Sequence, residues 1–102
     1  MILVISTVKD IDEGKRIIDT LLNEHLIACG NIIPNITSIF FWKNNKEEIN
    51  EAMMFLKTKE EKFHILIKKI KELHSYEIPE IIAIPITYGN PEYLKWIEES
   101  LI

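Results

Sequence analysis

Cysteine is nearly absent: Cys29 stands alone among 102 residues. A disulfide framework is thereby excluded, and so is any zinc or iron–sulfur site built from several thiolates of one chain. Arginine is just as scarce, with Arg16 the single instance, and the formal net charge is −4. Binding to a phosphate backbone needs clustered positive charge, so nucleic acid is not an expected partner. No stretch approaches the ~20 apolar residues of a membrane-spanning helix. The opening "MILVIST" has no basic leader and too short an apolar run for a signal peptide. No membrane partner is therefore expected, and the lone thiol agrees with a reducing, cytoplasmic setting. Without a secretory signal the Asn35-Ile36-Thr37 sequon carries no meaning. Repeats, low-complexity tracts and linkers are missing too. With 47% of residues hydrophobic, residues 1–102 read as one globular domain around one core.

What is present is an ordered series of segments. Ile2 to Val8 is a β-branched apolar run, read as a buried strand. Asp10 caps a helix with Glu13 at its third position, and Ile17, Ile18, Leu21, Leu22 and Leu26 supply the apolar stripe, with Gly30 at the exit. Asn31 to Trp42 reads as a long strand, bent or bulged at Pro34. A turn at Asn44-Asn45 leads into a second long strand, Glu47 to Lys57, with Met54 and Leu56 on one side and Met53, Phe55 and Lys57 on the other. Thr58 and Glu61 have the spacing of a capping box, and Phe63, Leu66, Ile67, Ile70, Leu73 and His74 then share one helical face. Ile81 to Thr87 is a fourth strand, made an edge or bulged strand by Pro85. Asn90-Pro91 opens a short last helix with Tyr93, Leu94, Ile97 and Leu101 on its apolar side.

The order β-α-β-β-α-β plus a terminal helix predicts an α+β, ferredoxin-like sandwich. Its central hairpin is long for so small a domain, and its aromatics (Phe40, Phe41, Trp42, Tyr76, Tyr93, Trp96) exceed what one helix layer covers. Both features favour a homo-oligomer whose copies cover each other's strands. The fold hosts unrelated functions, so the residues must decide. An RNA-recognition module needs aromatics on its first strand, and there are none. A copper chaperone of this fold needs Cys-x-x-Cys after that strand, where Ser6-Thr7-Val8-Lys9-Asp10 stands instead. A phosphatase needs a Gly-rich cradle with an arginine, and the same loop has neither. No nucleophile, base and orienting group fall into a catalytic order.

The segments "NIIPNITSIFFW", "MMFLKTK", "LHSYEIPEIIAIPI" and "GNPEYLKWI" together resemble the CutA family of divalent-cation tolerance proteins. The likeness runs over essentially the whole chain. It implies a ferredoxin-like subunit in a tight homotrimer similar to that of PII signalling proteins, with long strands pairing across subunits and clefts between them. It also implies a non-enzymatic role in the response to metal ions, with association to copper tolerance and Cu(II) binding. No cofactor is required on this reading, and Cu(II) or another divalent cation is the implied ligand. The second reading is a PII-like regulatory trimer that binds a small molecule in its inter-subunit clefts.

In copper-linked bacterial members the ligands are a cysteine at the end of the first strand and histidines at the end of the second helix. Carried onto this sequence those positions are Ser6 and Leu73-His74, so His74 alone matches and the soft ligand is missing. The other reading of His74 is a partly buried residue at a helix end, bonded to Glu77, Glu80 or a backbone carbonyl. Trp42, Glu51, Lys57, Tyr76, Glu80 and Trp96 are cleft or interface candidates. Trp42, Lys57 and Tyr76 would suit an anion or nucleotide, whereas Glu51 and Glu80 would suit a cation.

Overall fold

The computed structural model describes all 102 residues. The elements run β1 (Ile2–Val8), α1 (Ile11–Asn23), β2 (Cys29–Trp42), β3 (Asn45–Thr58), a 3-10 turn (Glu60–Lys62), α2 (Phe63–Leu73), β4 (Ile82–Pro85) and α3 (Pro91–Ser100). The strands form one antiparallel sheet in the order β2-β3-β1-β4, the ferredoxin-like arrangement with a helix appended. No helix is long and apolar enough to cross a membrane.

One face of the sheet carries the core. Strand alternation sends Ile2, Val4, Ser6 and Val8 of β1, with Ala52, Met54, Leu56 and Thr58 of β3, to that face, and all are buried. Ile17, Ile18 and Leu21 of α1 and Leu66 and Ile70 of α2 close over them. Each such side chain fully buried contributes roughly 1.5–3 kcal/mol of transfer free energy. The opposite face is only half covered. Leu3, Ile5, Met53 and Phe55 are half-buried there, and Ile33, Ile82 and Ile84 are 41%, 50% and 49% exposed. The register sets these residues side by side, with Ile5 opposite both Phe55 and Ile82, and Met53 opposite both Thr7 and Ile33.

Several expected boundaries move. The first helix ends at Asn23, not near Gly30. His25 takes the left-handed conformation (φ 56°), its N–H donates to the Leu22 carbonyl, and the Leu26 N–H donates to that of Leu21. This is a Schellman ending with histidine where glycine is usual. Leu26 is therefore buried beyond the helix rather than on its stripe, and Leu22 is 37% exposed. Gly30 lies inside β2, where a Cβ would stand 2.8 Å from Ile18 side-chain carbons, so its role is to let α1 approach the strand. Thr58 ends β3 and is no helix cap. Its Oγ1 donates to the Leu26 carbonyl at 2.8 Å, and the chain makes a 3-10 turn before α2 starts at Phe63. The hairpin turn is Lys43-Asn44 (φ 51° and 68°), one residue before the expected pair, because Asn45 already pairs with Trp42. The fourth strand keeps only Ile82–Pro85 of its expected span and lies at the sheet edge.

The bulge expected at Pro34 is present. The β2–β3 register slips between Ile33 and Ile36, with Asn35 at φ 59°. A slip of this kind changes which alternate residues face which side. Before it, Cys29, Asn31 and Ile33 share a face with Lys57, Phe55 and Met53; after it, Ile36, Ser38, Phe40 and Trp42 share that face with Glu51, Ile49, Glu47 and Asn45.

Candidate functional site

The bulge creates a groove. One wall is the outer half of the hairpin, with Ser38, Phe40, Trp42, Glu47, Ile49 and Glu51 in line. The other is the segment after α2, with Ser75, Tyr76, Glu77, Ile78 and Glu80, and Thr7 of β1 lies at the base. The open cavity is about 800 Å³. Its charged lining is Glu47, Glu51, Glu77 and Glu80, with no lysine or arginine, so its potential attracts cations.

The second wall is held by buried polar contacts. Helix α2 ends at Leu73, and the imidazole of the next residue, His74, turns inward, 9% exposed. Its Nε2 lies 2.7 Å from the Thr7 carbonyl oxygen, and its Nδ1 lies 3.0 Å from the Tyr76 nitrogen. A carbonyl can only accept and a backbone N–H can only donate, so the ring is neutral, with its proton on Nε2. Glu13 of α1 has a fully buried side chain, and its two oxygens accept from the Lys9 and Ser75 N–H groups at 3.0 and 2.9 Å. Burial pulls the Glu13 carboxyl up, but the hydrogen bonds from Ser75 and Lys9 outweigh it and leave the group below its ordinary value. These struts fix Tyr76, whose hydroxyl donates to Glu51 Oε2 at 2.6 Å. Burial, followed by the contact with Glu51, pushes the Tyr76 phenol well up, so it stays a donor.

The residues picked out from the sequence thus fall into two groups. Trp42, Glu51, Tyr76 and Glu80 meet in the groove, with His74 behind it. Lys57 and Trp96 do not join them. Lys57 Nζ bonds Asn31 Oδ1 at 2.7 Å, lies 3.9 Å from the Cys29 sulfur, and sits 5.9 Å from the ring centre of Tyr93, which stacks on Trp96. The trio of Trp42, Lys57 and Tyr76 envisaged for an anion is not assembled in this chain. The pattern missed Glu47 as a groove residue and Glu13 as a strut. Plain alternation along β3, which sets Glu47 on the same face as Glu51 four residues on, was the signal for Glu47; nothing local marks Glu13, whose burial depends on Ser75 arriving from far along the chain.

The implied copper pair, Ser6 and His74, does not fit a metal in this arrangement. Both ring nitrogens of His74 are engaged, so a metal at Nδ1 would have to displace the Tyr76 N–H. Ser6 is fully buried on the core face, and its Oγ has no hydrogen-bond partner. A neutral hydroxyl is also a hard donor, poorly matched to copper. No group of three or more His, Cys, Asp or Glu is placed to hold a metal ion.

Comparison with known proteins gives the same frame. The family model "CutA1 divalent ion tolerance protein" matches residues 2–100. The divalent-cation tolerance protein CutA of Thermus thermophilus is 40% identical over 97 residues, covering 95% of this chain and 94% of that one. The chloroplastic protein CutA 1 of Oryza sativa is 37% identical over 99 residues, and there the chain spans 56% of the relative's length. The solved structure of the periplasmic divalent cation tolerance protein CutA of Archaeoglobus fulgidus superposes with a TM-score of 0.96 at 40% identity, with each chain fully covered. Family model, sequence relatives and backbone agree over nearly the whole length, and the chain belongs to the CutA1 divalent ion tolerance family.

Proposed function

We propose that this chain serves divalent-cation tolerance as a non-catalytic homotrimer that engages cations weakly through its acidic groove and carries no resident copper. The observation that carries the reading is the charge of the groove, four carboxylates with no basic residue among them. Because no three ligands converge, binding of a bare metal is weak and sensitive to salt. Assembly is supported by the 14-residue hairpin strands and by the open sheet face carrying Ile33, Ile82 and Ile84. Patches of this kind mark contact surfaces. The free thiol Cys29 suits a reducing cytoplasm. No observation favours a PII-like pocket for an anionic small molecule, since Lys57 lies outside the groove.

Calorimetric titration with Cu(II) and Zn(II) tests the reading. Weak binding that Glu51→Gln reduces and His74→Ala leaves largely intact is the expected result. Tight binding of one copper per subunit that His74→Ala abolishes would overturn it. Light scattering should return three times the chain mass.

A further inference from the structure

We draw no further inference here: the strongest candidate, the side-chain cluster at the end of the open sheet face where Lys57 Nζ lies 3.9 Å from the Cys29 sulfur and 2.7 Å from Asn31 Oδ1, rests on a lone cysteine on the face assigned to contacts between copies, and no second feature of the cluster points to a ligand or a reaction partner.

Discussion

At the scale of single residues, the informative side chains are polar groups the fold has buried. Ser6 occupies a core position with an orphaned hydroxyl. Leaving such a group unpaired costs about 1–3 kcal/mol, while the cavity left by removing one oxygen is small. Ser6→Ala should therefore leave stability unchanged or raise it by about 1 kcal/mol, read as an upward shift of the urea midpoint at constant slope. Glu13 is the opposite case, a buried carboxylate with its oxygens satisfied and its pKa lowered. A depressed folded-state pKa contributes stability that is present above the unfolded value of about 4.3 and lost as pH falls through the lower folded value. Glu13→Gln turns an amide NH2 against a backbone N–H and should cost about 2 kcal/mol at pH 7. The gap to wild type should close as pH falls below about 4, which urea titrations at stepped pH would show. Of this network the sequence showed its capping part, since Asp10 with Glu13 reads as a helix start. It did not show that Glu13 reaches across to Ser75, a contact that exists only once α2 has packed. His74 was legible as a helix-end histidine, with Glu77, Glu80 or a backbone carbonyl as its partner; that the partner is a carbonyl, and that it is Thr7, needed the sheet.

At the scale of elements, strands were easier to read than endings. β1 was legible to the residue because its β-branched run is closed by the charged pair Lys9-Asp10. The end of α1 was not. Glycine is the usual residue for a left-handed ending, and here His25 takes that conformation while the nearby Gly30 serves a close helix–strand approach. A non-glycine residue in the left-handed region costs roughly 1 kcal/mol, so His25→Gly should stabilise by about that amount; thermal unfolding monitored by circular dichroism would show a Tm rise of several degrees, and a fall would refute the assignment. Thr58 misled for a related reason. Its spacing to Glu61 fits a capping box, but the hydroxyl is taken by the Leu26 carbonyl, and tertiary pairing overrode the local motif. The Pro34 bulge is the element-scale feature with the widest effect. It was legible as a lost ladder donor, whereas its consequence, moving Phe40 and Trp42 onto the face of Glu51, became visible only with the register.

At the scale of the whole molecule, shape is the main property. The chain extends 45 × 26 × 22 Å, the long axis reflecting a hairpin that outruns its helices. Near its tip Phe41 is 73% exposed and Ile39 59%. If these residues seat against other copies, Phe41→Asp should lower the mass measured by light scattering while leaving the helical circular dichroism unchanged. A variant that keeps the full assembly would remove this surface from the interface. The same hairpin implies a graded pattern of backbone protection. The ladder between Cys29–Ile33 and Met53–Lys57 is flanked by β1 and roofed by α1, but pairs from Ile36–Glu51 to Trp42–Asn45 lean on no other strand of this chain. In a lone subunit those outer amides would exchange with solvent deuterium by local fraying, well before the core. In an assembly that pins the arms they would exchange only as fast as the subunits part, so the deuterium uptake of one short segment is a clock for dissociation.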